Sequence, residues 1–351
     1  MPRKPLPPLR PDSRLLVVKT SSLGDIIHAL PVVQAISEAY PNLHLDWVVR
    51  ERGADILRGH PAIRKLWVLP NKPSFKNLAL LSRELHAAQY DIALDLQGLA
   101  LSGLITWLSG APFRVGWDRN RECNQFFLTH ASVPGKSRNV GGQHEIDLLY
   151  GFADILGVAH RQGEFPPQPY LAVEFRDWAQ TQLETLPKTC IALNVGAARA
   201  YKRWPTEYWR SLAELLIQDG YSLVFVGDSQ DAQTVAQLLP SAGAFINLAG
   251  QTNLRQLASV LASCDLIVSA DTGPMHIAVA VGTPVVALFG ATDPKRHGPY
   301  GTHSLALYDP IPGPRPSGRP TEDYGAACLA RLTPERVRDA VLKLLQSKVC
   351  P

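Results

Sequence analysis

The sequence predicts an α/β protein built from two doubly wound parallel-sheet domains. Three observations predict it. Apolar, β-branched runs alternate with helical patterns through the first half of the chain, the alternation lapses once over RQGEFPPQPYLAV (161–173), and it then restarts with the same rhythm. At 351 residues the chain is long for one ordinary domain and suited to two, each with its own core.

In order, the first half reads LLVVKT (15–20) and a helix over 26–40, LHLDWVVR (43–50) and a helix over 53–59, KLWVLP (65–70) and a helix over 75–89, then DIALDLQG (91–98) and a helix over 99–109. QHEIDLLYGFADILG (143–157) closes it. The second half reads CIALNVG (190–196), a helix over 206–219, YSLVFVG (221–227), a helix over 230–239, FINLAG (245–250), a helix over 253–263, DLIVSAD (265–271), a helix over 273–281 and VVALFG (285–290). DPIPGPRPSGRP (309–320) is a proline-rich loop without periodicity and without an assigned role. TPERVRDAVLKLL (333–345) predicts a terminal helix, with Thr333 as N-cap and Pro334 in its first turn. The expected organisation is a flexible leader over 1–13, a first domain over 14–165, a linker over 166–187, a second domain over 188–308 and a proline-rich loop with a C-terminal helix over 309–351. Two such domains normally bind ligand in a cleft, outside the carboxyl ends of their strands.

Composition narrows the class. With 46% hydrophobic and 19% charged residues the chain is globular rather than disordered or fibrous. The leader MPRKPLPPLRPDSR is basic, but its prolines leave no apolar core of signal-peptide length. Pro274 to Gly290, the longest apolar stretch, contains His276, Thr283 and Pro284 and falls short of the roughly 20 residues of a spanning helix. Five scattered cysteines without a C-x-x-C pair argue against a disulfide framework or zinc site, which fits a reducing cytoplasm. The net charge of +4 is modest, and no nucleic-acid partner is expected. Its distribution is uneven: residues 1–160 carry 18 Lys/Arg against 14 Asp/Glu, and residues 161–351 carry 17 of each. An acidic partner would therefore meet the first half.

Three stretches at strand ends carry chemistry. KTSSLGD (19–25) has neither the glycine pattern of a dinucleotide fold nor that of a phosphate loop, so nicotinamide and P-loop chemistry are unsupported. Gly24 gives its backbone freedom, and Asp25 either caps the following helix or serves as a general base. SADTGPMHIAVAVGTP (269–284) ends a strand and opens a helix at Asp271, Thr272 and Gly273, whose unpaired N–H groups suit an anion. His276, one turn in, is either a core histidine or part of that site. In NVGAARAYKRWP (194–205), Lys202 and Arg203 are either solvated charges or a clamp on a diphosphate. There is no D-x-D and no His/Cys cluster, so nothing visible requires a metal or cofactor.

KTSSLGD, DLQGL (95–99), KRWP and NLAGQTNLRQLASVLASCDLIVSADTGPMHIAVAVGTPVVALFGATDP (247–294) together resemble glycosyltransferase family 9, the ADP-heptose:lipopolysaccharide heptosyltransferases. The likeness covers most of the chain outside the leader and the proline-rich tail, and its N-terminal motif is nearer to the type I enzymes, which act on Kdo-lipid A, than to type II. The resemblance implies two Rossmann-like domains facing a cleft (GT-B) and an inverting, metal-independent transfer of heptose from ADP-L-glycero-D-manno-heptose. It implies Asp25 as catalytic base and Lys202 as the donor-phosphate lysine. Gly196, Asp231, Asp271, Thr272, Gly273 and His276 would line the donor, with Asp231 where the family commonly has a glutamate near the ribose. Ser22, Gly24, Gln97 and Arg121 would face the acceptor, whose anionic groups would also meet Arg64, Lys65, Lys72, Lys76 or Arg119. The implied location is the cytoplasmic face of a Gram-negative inner membrane, in peripheral contact with it; no oligomeric state is implied. A core heptose or a protein hydroxyl as acceptor, a nucleotide-sugar epimerase, and a binding protein without activity remain alternatives.

Overall fold

The computed structural model describes residues 6–118, 122–134, 143–159, 171–187, 189–301, 303–313 and 320–347. The chain divides into two compact units, Met1–Gln162 and Gly163–Pro351.

In the first unit six strands form one parallel sheet: β1 (Arg14–Val18), β2 (His44–Arg50), β3 (Lys65–Leu69), β4 (Ile92–Asp95), β5 (Phe113–Trp117) and β6 (His130–Val133). Their order is β3-β2-β1-β4-β5-β6. Leu15 to Val18 and Ile92 to Asp95 are buried, which is why the central strands read as unbroken apolar runs rather than alternating ones. The helix Leu23–Ala39 covers the sheet through Ile26, Ile27, Leu30, Val33 and Ile36. Each such side chain stabilises the fold by about 1.5–3 kcal/mol when fully buried.

The second unit repeats the plan with β7 (Cys190–Asn194), β8 (Ser222–Val226), β9 (Phe245–Asn247), β10 (Leu266–Ala270), β11 (Val285–Phe289) and β12 (Ser304–Tyr308), again all parallel. Their order is β12-β11-β10-β7-β8-β9. Counted from its own first strand, this is the order of the first sheet. In both units the direction of winding reverses beside the first strand, between β1 and β4 and between β7 and β10. Trp204, Trp209, Leu212 and Leu216 form one core with Val337, Val341 and Leu344 of the helix Pro334–Ser347. Arg338 fixes that helix to the chain after helix Thr206–Gln218 through two 2.6 Å bonds to Asp219.

Several elements differ from the sequence expectation. β5, β6 and β12 were not anticipated: none of the three reads as an unbroken run of apolar, β-branched residues. The expected linker contains the helix Val173–Leu183, which buries Ala179 and packs on the helix Leu254–Ala262. Within the expected leader, Leu9 and Ser13 are buried and Arg10 N–H donates to Ser13 Oγ at 2.9 Å, so the chain is already ordered before β1. A helix Glu322–Leu329 follows the proline-rich segment, of which residues 314–319 lie outside the described residues.

Two expected acceptor contacts are corrected. Arg64 donates to both carboxylate oxygens of buried Asp46, at 2.9 and 2.6 Å, and Tyr90 Oη donates to the same group at 2.5 Å. Trp67 Nε1 donates to Tyr90 Oη at 2.7 Å, and Lys65 Nζ lies 3.5 Å from the centre of the Trp67 ring. Asp46 is paired in register with Lys65, toward the amino ends of β2 and β3. KTSSLGD follows the carboxyl end of β1, so Arg64 and Lys65 serve the opposite end of the sheet from Asp25. Arg64→Ala leaves Asp46 as a buried charge without its ionic partner and is expected to lower stability by about 3 kcal/mol in urea unfolding. A loss below about 1 kcal/mol would mean that Tyr90 alone satisfies the carboxylate.

Candidate active site

The first unit presents a carboxylate at its switch point. After β1 the chain leaves the sheet as Lys19–Ser22, and β4 grips it from the side: Thr20 N–H and Ser21 N–H both donate to Gln97 Oε1 at 3.2 Å, and Lys19 Nζ donates to Leu96 O at 3.2 Å. Trp47 Nε1 holds Lys19 O at 3.0 Å from the other side. Gln97 is placed by Asp95, whose Oδ1 accepts the N–H groups of Gln97 and Gly98 at 3.0 Å. That turn needs φ of +73° at residue 98, where glycine carries no steric penalty. Asp95 Oδ2 accepts from Ser102 Oγ and Asn124 Nδ2. Burial pushes the Asp95 carboxyl up, and these four donors oppose the shift by favouring the ionised form.

Asp25 is the third residue of its helix, and its Oδ2 accepts from Ser22 N–H at 3.1 Å and Ser22 Oγ at 2.7 Å. This is the reciprocal half of a capping box. Lys19 Nζ lies 3.9 Å from Oδ1, and the Asp25 side chain is still 28% exposed. The cap and base readings are therefore compatible, since the group that fixes the helix start also faces solvent. Ser22 and Gly24 belong to the same turn. Gln97, expected on the acceptor side, spends its amide oxygen on holding that turn. Arg119 and Arg121 lie outside the described residues.

The second unit presents positive charge at the equivalent place. Asn194, at the end of β7, donates through Nδ2 to Ser269 Oγ and Thr272 Oγ1, both at 2.9 Å, and so ties β7 to the end of β10. Thr272 is the N-cap residue of the helix Gly273–Ala280 without a side-chain cap bond, so the first-turn N–H groups, which Pro274 lacks, are left open at the sheet end. Asp271 Oδ2 accepts from Lys202 Nζ at 2.6 Å and Thr292 Oγ1 at 3.0 Å, while Lys202 Nζ also donates to Asp271 O at 3.1 Å. Lys202 is thus held beside the helix start as a compact, partly exposed charge. Arg203 Nε donates to Ala197 O at 2.9 Å, on the turn that carries Gly196. His276 is buried in the first turn of the same helix.

Gly196 and Asp231 meet directly. A Cβ on Gly196 would overlap the Asp231 carboxylate, and one on Gly227 would lie 2.9 Å from Asp231 Cβ. The carboxylate therefore rests on the turn after β7. Its Oδ2 accepts Asp228 N–H at 3.1 Å, and burial pushes the carboxyl up despite that bond. Of the expected residues, the structure brings Ser22, Gly24, Asp25 and Gln97 together in the first unit. In the second it joins Lys202 with Asp271, Thr272 and Gly273, and Gly196 with Asp231. Lys19, Asp95, Asn194 and Thr292 were not singled out from sequence. The available signal was polar residues ending apolar strands, as in IALD and CIALN.

Two doubly wound units with an exposed carboxylate at one switch point and a lysine beside a helix start at the other define a transferase that moves a group from a nucleotide-linked donor. Comparison with known proteins narrows this. The model of glycosyltransferase family 9 (heptosyltransferase) matches residues 78–314. The chain is 28% identical over 294 residues to the lipopolysaccharide core heptosyltransferase OpsX of Haemophilus influenzae, covering 82% of this chain and 81% of that one. To lipopolysaccharide heptosyltransferase 1 of Escherichia coli K12 it is 29% identical over 314 residues, 85% and 94% of the two chains. The solved structure of E. coli heptosyltransferase WaaC with ADP aligns with a TM-score of 0.73 at 27% identity, over 94% of this chain and 99% of that one. This chain belongs to glycosyltransferase family 9, and its two sheets are the two Rossmann-like units of a GT-B enzyme.

Gly196→Ala would force the Asp231 carboxylate off the turn. We expect ADP affinity, measured by calorimetry, to fall about tenfold, which is about 1.4 kcal/mol, with little change in melting temperature. Unchanged affinity would show that the seat of Asp231 does not bear on nucleotide binding.

Proposed function

We propose that the protein transfers heptose from ADP-L-glycero-D-manno-heptose to the Kdo-lipid A inner core of lipopolysaccharide, inverting the anomeric carbon and needing no metal. The observation that carries this reading is Lys202 held on Asp271 beside the open start of helix Gly273–Ala280, in a family 9 chain that aligns along 94% of its length with a heptosyltransferase solved with ADP.

In this reading Asp25 accepts the proton of an acceptor sugar hydroxyl. The hydroxyl oxygen bonds to the anomeric carbon from one face, and the bond from that carbon to the β-phosphate oxygen breaks on the other, releasing ADP. The transition state has oxocarbenium character, so negative charge grows on the diphosphate as it leaves. Lys202 and the N–H groups from Gly273 onward stabilise that charge, the part a divalent cation plays elsewhere. In this reading the Asp231 carboxylate, resting on Gly196, accepts from the donor ribose. Of the cations expected to meet the acceptor's phosphates and carboxylates, Lys72 and Lys76 are described, exposed and follow the carboxyl end of β3. Among the described residues no helix is long and apolar enough to cross a membrane. The acceptor's acyl chains lie in the bilayer, so we assign the enzyme a peripheral place on the cytoplasmic face of the inner membrane.

One observation favours a second acceptor. A relative named lipooligosaccharide heptosyltransferase 2, from Haemophilus influenzae, matches at the same 29% identity as the type 1 enzyme, so the core heptose expected of a type II enzyme is the alternative target for the same donor. ADP release from ADP-heptose separates them. We expect release to require Kdo-lipid A, Asp25→Ala to lower kcat at least about 100-fold, as for loss of a general base, and ADP affinity to be unchanged. Turnover only with a heptosylated core would move the assignment to the second acceptor, and a fully active Asp25→Ala would remove the base.

A further inference from the structure

The segment after the proline-rich loop has no part in the reaction as described, yet it packs directly beneath the donor site. Helix Glu322–Leu329 is capped by Thr321, whose Oγ1 accepts Tyr324 N–H at 3.3 Å, and it lies on the short 3-10 turn Ala200–Lys202. At Gly325 a Cβ would overlap Tyr201 O and stand 2.5 Å from Tyr201 Cβ and 2.6 Å from Tyr201 Cα. Two of those three atoms are backbone, so no rotamer change could make room. One residue later the same turn delivers Lys202.

A second contact lies on the same helix turn. A Cβ on Gly290, just past β11, would come 2.7 Å from Leu329 Cγ and 3.0 Å from Gly325 O. Gly290 leads into Thr292. The two groups that bond Asp271 Oδ2, Lys202 Nζ and Thr292 Oγ1, therefore stand on turns that both rest on the stretch Gly325–Leu329. Beyond Lys202 the chain is fixed from the same side, where Trp204 Nε1 donates to Leu332 O at 2.9 Å with both residues buried.

We propose that helix Glu322–Leu329 is the seat that sets Lys202 against Asp271, and that Gly325 is a positioning residue for recognition of the donor's diphosphate. A methyl group at 325 would drive the Tyr201 backbone off the helix and carry Lys202 with it, while the adenosine side of the site, built on Gly196 and Asp231, would stay in place. The inference rests on the reading that Lys202 binds the diphosphate.

The test compares affinities for ADP and AMP by calorimetry in the full-length protein, for wild type, Gly325→Ala, Lys202→Ala and the exposed control Ala326→Ser. We expect Gly325→Ala to keep its AMP affinity and to lose at least fivefold in the ratio of ADP to AMP affinity, toward the Lys202→Ala value, with Ala326→Ser like wild type. A general loosening of the fold would weaken both nucleotides and leave the ratio alone. A collapsed ratio in Lys202→Ala with an unchanged one in Gly325→Ala would overturn the proposal. An unchanged ratio in Lys202→Ala would overturn the diphosphate reading and the proposal with it. Should Gly325→Ala bind neither nucleotide, Trp204→Phe, which removes the bond to Leu332 together with part of the buried indole, is read by the same ratio, which a general loosening leaves alone: a fall supports the seat and an unchanged value refutes it.

Discussion

Parallel pairing of β1 with β4 and of β7 with β10 is the constraint on which both sites depend. Chains leaving neighbouring strands at these two places diverge to opposite faces of the sheet, and the crevice between them exposes backbone groups that no helix covers. Each crevice is held by one amide side chain. Gln97 takes two backbone N–H groups of the turn after β1, and Asn194 bridges Ser269 and Thr272 after β10. The scaffold is repeated, but its charge is not. The first crevice offers the Asp25 carboxylate, and the second offers Lys202 and an open helix start.

In the mechanism proposed above, that difference divides the chemistry of glycosyl transfer between the units. Proton removal calls for an exposed carboxylate with fixed orientation, and Ser22 supplies the orientation through the helix cap. Stabilising a departing diphosphate calls for positive charge held ready. A lysine ammonium is compact and strongly hydrated, and an unrestrained one would sample many positions. Asp271 restrains it with bonds from both its carboxylate and its carbonyl. Such an ion pair adds little to stability, because the cost of desolvating both charges offsets most of their attraction. Its value in this account is placement, and an incoming phosphate oxygen can take the lysine's third hydrogen.

The doubly wound plan was legible because its central strands are buried on both faces and cannot hide their composition: LLVV, IALD, CIALN, LIVSA and VVALF each read as strands alone. Three flanking strands were not, although the edge strands in KLWVLP and FINLAG were. FRVGW contains Arg114 and Gly116, HASV is four residues long, and SLALY follows a run of coil. The turns KTSSLGD, KRWP and SADTG were found because a small or charged residue after an apolar run marks a strand end. What holds those turns was invisible, since Gln97 acts across 76 and 77 residues of sequence, Asn194 across 75 and 78, and Thr292 across 21. Arg64 and Lys65 show the converse failure. Their charge is plain in the sequence, but its assignment to Asp46 and Trp67 depends on which end of β3 they occupy. The contact at Gly325 depends on a helix whose weak amphipathic pattern gave no warning of it.

The central claim is that the second switch point, and not the first, is where the donor's diphosphate is held. A crystal structure of the protein with ADP tests it most directly. The account predicts both phosphates against the N–H groups of Gly273 onward, with Lys202 Nζ within hydrogen-bond distance of the β-phosphate and the ribose on the Asp231 side. Phosphates bound at the KTSSLGD turn, or at the Gly273 helix start but beyond the reach of Lys202, would contradict it.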